Sequence, residues 1–252
     1  MKELLNKETK FIGTMMSELV FPNISFILKN SGYDFIIIDC EHGPFDYSQV
    51  AAIITAARSN GISTIVRIPE IRREPIIKYL DMGADGLLVP MVRNVADAEA
   101  VVNFVKYPPE GNRGISISRA HSKYSPGDVN EYIKKANKHT AIFIQIELTS
   151  ALNEVEQIAK VPGVDAIMVG PSDLSMALGI FNQLDNPILT AAVNRTAKAA
   201  SDAGKCSGVI TANTTLIKNS IDAGMNIVCM GSDVRALSKG LKEAVNTVKD
   251  VF

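Results

Sequence analysis

The ten residues Asp-Met-Gly-Ala-Asp-Gly-Leu-Leu-Val-Pro (81–90) decide the fold. They read as the end of a helix, a glycine turn, an aspartate and an apolar strand. The phrase recurs as Asn-Ser-Gly-Tyr-Asp (30–34), Val-Pro-Gly-Val-Asp (161–165) and Asp-Ala-Gly-Met-Asn (222–226). Glycine suits the left-handed residue that commonly ends a helix. A connector repeated in this way marks successive β/α units, and it predicts a closed (β/α)8 TIM barrel rather than an open sheet.

Working outward, eight apolar runs recur, at 11–16, 35–39, 64–68, 86–90, 141–147, 166–169, 207–211 and 227–230. They are near-continuous in Ile and Val, as expected of parallel strands covered on both faces. Helical segments at 48–60, 74–82 and 189–203 each stop before a glycine, and Asp46 with Gln49 has the spacing of a capping box. The longest interruption, 106–138, contains YPPEGNRG and a Ser/Pro-rich stretch. It reads as an elaborated loop with a short helix. No linker divides the chain, so residues 1–252 read as a single domain of ordinary size for one barrel.

Composition narrows the function classes. A hydrophobic fraction of 46% supports a large core, and a net charge of -1 gives no general attraction to nucleic acid or to an anionic membrane. No apolar run approaches the roughly 20 residues that span a bilayer. The start, MKELLNKETK, lacks the apolar stretch of a secretory signal. Three scattered cysteines make neither a disulfide framework nor a zinc knuckle, and Cys206 and Cys229 read as small buried hydrophobes within strands. A reducing, cytoplasmic setting is expected.

All strand C-termini of a parallel barrel open on one face, so residues far apart in sequence meet there. Glu147 in IFIQIE and Asp173 in AIMVGPSD stand at two such ends. Two carboxylates with substrate oxygens and water suit Mg2+ or Mn2+. The plainer readings are a salt-bridged acid for Glu147 and a helix cap at Leu174 for Ser172 or Asp173. Gln145 points to the same side of its strand as Glu147. Backbone amides at the helix start would face a substrate carboxylate.

His42, just past FIIID (35–39), has the chemistry of a general acid or base, against the alternative of an ordinary loop histidine. Asp39, Glu41 and Asp81 are candidate partners for its ring, although the residues alone favour reading Asp81 as a plain surface helix residue. Arg67 ends its strand in IVRIPE, where its fork suits a carboxylate or enolate; a structural pair with Glu70 or Glu41 is the alternative. His121, Arg119 and Lys123 read as loop surface, His139 as a helix end, and Met15, Met16, Met91 and Met230 as packing. No strand end carries lysine, so a Schiff-base aldolase is not expected.

Together, GTM (13–15), FIIIDCEHGPFD (35–46), VRIPE (66–70), GADGLLVPMVRN (83–94), YPPEGNRG (107–114), QIE (145–147) and VDAIMVGPSDLS (164–175) resemble the HpcH/HpaI-type class II pyruvate aldolases. The resemblance implies a metal-dependent barrel that reversibly cleaves 4-hydroxy-2-oxoacids to pyruvate and an aldehyde through a pyruvate enolate. It implies that Glu147 and Asp173 hold a divalent ion, Mg2+ or Mn2+ with Co2+ a third candidate. By the same resemblance His42 is the acid/base, oriented by Asp81, and Arg67 binds pyruvate and stabilises its enolate. Gln145 matches a site residue, and the Ser172 and Asp173 amides receive the pyruvate carboxylate. A homohexamer with C-terminal helices exchanged between subunits is also implied, with residues 238–252 as that helix. The chain departs from the family at Met15, where tryptophan is frequent, at Cys40, where glycine is common, and at Leu148, where threonine is common. These departures bear on aldehyde preference. Two other readings remain: a lyase acting on malyl- or citramalyl-CoA thioesters, and a barrel that only binds a metabolite.

Overall fold

The computed structural model describes Leu5, residues 8–249 and Val251. Much of the N-terminal stretch 1–7, and positions 250 and 252 of the expected C-terminal helix, lie outside the described residues. The first half of the chain runs β1 (Phe11–Met16), α1 (Ile24–Asn30), β2 (Phe35–Asp39), α2 (Tyr47–Asn60), β3 (Ser63–Arg67), α3 (Arg73–Asp81), β4 (Gly86–Val89), α4 (Val95–Val105). A 3-10 turn (Ala120–Ser122) then precedes α5 (Val129–His139) and β5 (Ala141–Ile146). The remainder runs α6 (Thr149–Asn153), α7 (Val155–Lys160), β6 (Ala166–Val169), α8 (Pro171–Ala177), α9 (Pro187–Asp202), β7 (Cys206–Ile210), α10 (Thr214–Asp222), β8 (Ile227–Ser232) and α11 (Asp233–Lys249). The strands pair in parallel, in chain order, and β8 pairs back with β1, so the barrel closes as the connectors predict.

The structure gives the repeated connector a physical job. Gly83 has φ +101 and the equivalent Gly32, Gly163 and Gly224 are also positive, a conformation that a Cβ disfavours. The aspartate that follows completes a bridge to the previous strand. Asp34, Asp85 and Asp165 donate their N–H groups to the carbonyls of Ile12, Thr64 and Ile142. Their carboxylates accept the N–H of those same residues at 2.8–2.9 Å. Each aspartate therefore satisfies a strand-start donor that the ladder would leave unpaired.

Alternation along each strand divides the apolar residues into two cores. Ile36, Ile38, Val66, Leu87, Ile142, Ile144 and Ile167 pack outward against the helices. Phe11, Met15, Phe35, Ile37, Ile65, Leu88, Phe143 and Met168 fill the barrel interior. A fully buried Ile or Leu contributes about 1.5–3 kcal/mol relative to exposure, so these two layers dominate stability. Gly13 leaves room for the Phe35 ring, which a Cβ there would overlap at 2.2 Å. The Asp46–Gln49 capping box of α2 is present with both of its bonds. Cys206 and Cys229 are buried within their strands as expected. Among the described residues no helix is long and apolar enough to cross a membrane.

The long stretch between α4 and α5 is tied down rather than loose. Buried Lys106 donates to the carbonyls of Asn137 and Thr140 at 2.7 and 2.8 Å. The Asn137 side chain pairs with both backbone groups of Tyr107.

Candidate active site

The alternation that points Phe35 and Ile37 into the barrel carries on to Asp39, and on β3 it carries Ile65 on to Arg67. Register places Asp39 directly beside Arg67. Their side chains form a fork, with Nε–Oδ1 at 2.8 Å and Nη2–Oδ2 at 2.6 Å. Burial pushes the Asp39 acid upward, but the bonds and charge of Arg67, with the amides of His42 and Glu41, outweigh it and hold the group below the usual carboxylate range. Removing one partner of such a buried pair costs roughly 3–5 kcal/mol. The Asp39 Oδ1 also accepts the N–H groups of Glu41 and His42 at 3.1 and 3.3 Å, which shapes the turn presenting them.

Arg67 Nη1 lies 3.2 Å from Glu41 Oε2. The guanidinium has five N–H donors, so about two remain beyond these contacts. Of the two structural partners expected for Arg67, Glu41 is found and Glu70 is not; Glu70 pairs with Arg72 instead. His42 is 69% exposed at the mouth, its Nε2 3.8 Å from Glu41 Oε2.

Glu147 follows β5 and is almost fully buried. Its Oε1 accepts the N–H of Met91 at 2.5 Å, and its Oε2 accepts the side-chain amide of Gln145. Burial, with help from the charges of Glu41 and Asp173, raises its acid to about 7 against the opposing Met91 amide and Arg67. Burial also raises Glu41, opposed by Arg67 and His42 and helped by Asp39 and Asp173. Carboxylates that raise one another share one field, and a cation among them relieves it. Gln145 Oε1 is buried with no hydrogen-bond partner, an orphaned acceptor facing the same need for positive charge or a proton. Gly170 closes the cradle: a Cβ there would sit 2.6 Å from Gln145 Nε2 and 2.9 Å from Glu147 Oε2. The all-oxygen donor set and the excess of carboxylate fit a hard divalent cation.

The helix after β6 begins at Pro171, not at Leu174, so Asp173 is an exposed residue of the first turn of α8 rather than its cap. Gly170 occupies the N-cap position without a side-chain bond, leaving the first amides of the helix, including those of Ser172 and Asp173, to seek acceptors.

One expected neighbour is elsewhere. Asp81 ends α3, and in a β/α barrel that end lies beside the start of the next strand, opposite the mouth. Within one chain Asp81 is not brought to His42. It pairs with Arg113 Nη2 at 2.7 Å and lies 3.6 Å from His121 Nε2. His121, expected at the surface, is buried there, its side chain 7% exposed. Met91 and Met230, expected as packing, are both well exposed.

Sequence reasoning missed the Met91 amide and the Gly170 gap, and no residue type signals either. It named Asp39 only as a neighbour of His42, although the pattern Phe35-x-Ile37-x-Asp39 already places Asp39 inside the barrel.

Comparisons with known proteins agree with this architecture. Residues 17–239 match the HpcH/HpaI aldolase/citrate lyase family. A hydroxypyruvate/pyruvate aldolase from Roseobacter denitrificans is 35% identical over 238 residues, 94% of this chain and 91% of that protein. A 5-keto-4-deoxy-D-glucarate aldolase from Escherichia coli is 33% identical over 235 residues, 92% of this chain and 90% of that protein. The crystal structure of an HpcH/HpaI aldolase from Desulfitobacterium hafniense superposes with a TM-score of 0.91 at 30% identity, covering 96% of this chain and 93% of that one. The chain belongs to the HpcH/HpaI aldolase/citrate lyase family.

Proposed function

We propose that this protein is a metal-dependent class II aldolase that reversibly cleaves 4-hydroxy-2-oxoacids to pyruvate and an aldehyde. The observation that carries the reading is buried Glu147 beside the orphaned Gln145 acceptor, its acid raised to about 7 by burial and by the charges of Glu41 and Asp173. The two relatives named as aldolases, matched over nearly their whole lengths, support it.

Glu147 and Asp173 are the ligands of the divalent ion, Mg2+ or Mn2+ with Co2+ a third candidate. Two carboxylates are a usual protein contribution for Mg2+, the remaining ligands being substrate and water. The ion supplies Lewis acidity that makes the methyl group of pyruvate acidic. The Ser172 and Asp173 amides receive the pyruvate carboxylate at the start of α8, and Gln145 lines the same cradle. The remaining N–H groups of Arg67 face the keto oxygen, where negative charge develops. Asp39 holds that guanidinium in place. His42 moves the proton to and from substrate at its exposed ring, and within the chain Glu41 is the carboxylate beside it.

The reading extends to a homohexamer exchanging its C-terminal helices. On α11 the residues Val234, Leu237, Leu241, Val245 and Val248 form an exposed apolar stripe at helical spacing. An apolar groove near its start is lined by Ile12, Phe21, Ile24, Ile27 and Tyr33. Light scattering should give six subunits, reduced by Leu241→Glu; a wild-type monomer would reject the assembly.

The activity is tested with a panel of 4-hydroxy-2-oxoacids and each ion. Pyruvate release that depends on the cation is expected, together with solvent exchange of the methyl protons of pyruvate. Neither release nor exchange with any ion would leave a barrel that only binds. Cleavage of malyl- or citramalyl-CoA in place of every oxoacid would move the assignment to a thioester lyase.

A further inference from the structure

Met91, two residues beyond β4, has φ +53. Three other non-glycine residues among those described share this sign, Lys123, Tyr124 and Asn182, and none of them directly follows a barrel strand. The left-handed region is disfavoured for any side chain with a Cβ, so the surroundings must compensate. Burial is not the compensation, because Met91 is 50% exposed. What the turn achieves is the direction of one donor: the N–H of Met91 reaches Glu147 Oε1 at 2.5 Å.

We propose that Met91 is a positioning residue whose left-handed backbone, rather than its side chain, fixes the Glu147 carboxylate for cation binding. The inference rests on the reading of Glu147 as a ligand of the ion. Met91 holds Oε1 and Gln145 holds Oε2. Two donors on two oxygens set the plane of the group, and with it the direction of the lone pairs left for a cation. Gly170 lets this cradle close without a Cβ in the way. Partners that orient a ligand in this manner typically change metal affinity by 10–100-fold when lost.

The test is calorimetric titration of Mn2+ into the folded, substrate-free protein, because binding reports the carboxylate directly. Met91→Gly and Met91→Asn keep the N–H and tolerate the left-handed region. Met91→Val keeps the N–H but resists that conformation; Met91→Thr replaces it should the valine variant not fold. Glycine and asparagine are expected to retain wild-type affinity, and the β-branched variants to weaken it by about tenfold or more. A β-branched variant that binds like wild type overturns the proposal. So does a glycine variant that weakens as much as valine, because the side chain would then carry the effect. If the wild-type protein takes up no Mn2+, the reading of the site fails and this inference with it. If wild type binds, Glu147→Gln does not, and the Met91 series is flat, only this inference fails.

Discussion

The barrel holds two ionic clusters at opposite ends, and they are built differently. At the N-terminal end of the strands guanidinium outnumbers carboxylate, and the acid is paired. Asp81 faces Arg113, whose guanidinium also lies 4.7 Å over the Tyr107 ring, and Arg58 donates to the Ala120 carbonyl at 2.8 Å. His121 bonds with the Tyr132 hydroxyl and the Ser116 carbonyl, and burial holds its ring below the ordinary histidine value. At the C-terminal end Asp39, Glu41, Glu147 and Asp173 confront one guanidinium, Arg67, with His42 at the rim. In the first arrangement the acid already has its guanidinium, although Arg113 Nε and the Tyr107 hydroxyl are buried without hydrogen-bond partners. The second is short of positive charge, and a protein keeps such a deficit where a ligand is to supply the difference. Both ends contain an Arg–Asp pair, so the pair alone does not distinguish structure from function; the excess of carboxylate at the mouth does.

The comparison breaks most sharply at Glu147. Glu147→Gln should reduce aldol turnover by two orders of magnitude or more, about 3 kcal/mol of barrel-mouth stabilisation, while the cation-free protein melts no lower than wild type. Steady-state rates with saturating Mn2+ and a thermal melt check both halves. A variant with full activity would remove the cation site from the proposal.

At the other end the expected effect falls on stability. Arg113→Leu leaves Asp81 facing no guanidinium and strips the Tyr107 ring of its cover, a loss of roughly 3 kcal/mol. Mn2+ affinity should not change. Denaturant unfolding and calorimetry separate the two, and a variant of wild-type stability that binds Mn2+ poorly would reverse the roles assigned to the two clusters.

The smallest effect is a pH slope. Glu147 lies at about 7 in the folded chain against an ordinary 4.5, so the folded state holds this proton more tightly than the unfolded state. Its contribution to stability is complete below the unfolded value and fades as pH rises through about 7. Cation and proton compete for one carboxylate, so Mn2+ affinity should climb about tenfold per pH unit until near 7 and then level. Constant affinity between pH 5.5 and 8.5 would show that Glu147 does not carry the competition.

Much of the barrel was legible in the chain. The strands lie within a residue or two of their apolar runs; β3 and β7, for example, each start and end one residue earlier than expected. The connectors were legible because glycine turns and strand-start aspartates act through bonds only a few residues or one strand away. The mouth was legible in part: Glu147, Asp173 and Arg67 follow from their places at strand ends. Asp81 shows where such reading stops, since its spacing from His42 says nothing about which end of a helix faces which end of the barrel.

By itself, then, the sequence determined that eight parallel strands close in order and that acids, a histidine and an arginine stand at their C-terminal ends. Periodicity and local turn chemistry are encoded residue by residue, which is why they can be read without a structure. Only the tertiary structure decided that Arg67 is held by Asp39, that Asp81 belongs to the opposite end, and that the Met91 backbone turns to meet Glu147. Those outcomes depend on register across neighbouring strands and on the desolvation of charges brought together by the fold, and neither quantity exists until the barrel has closed.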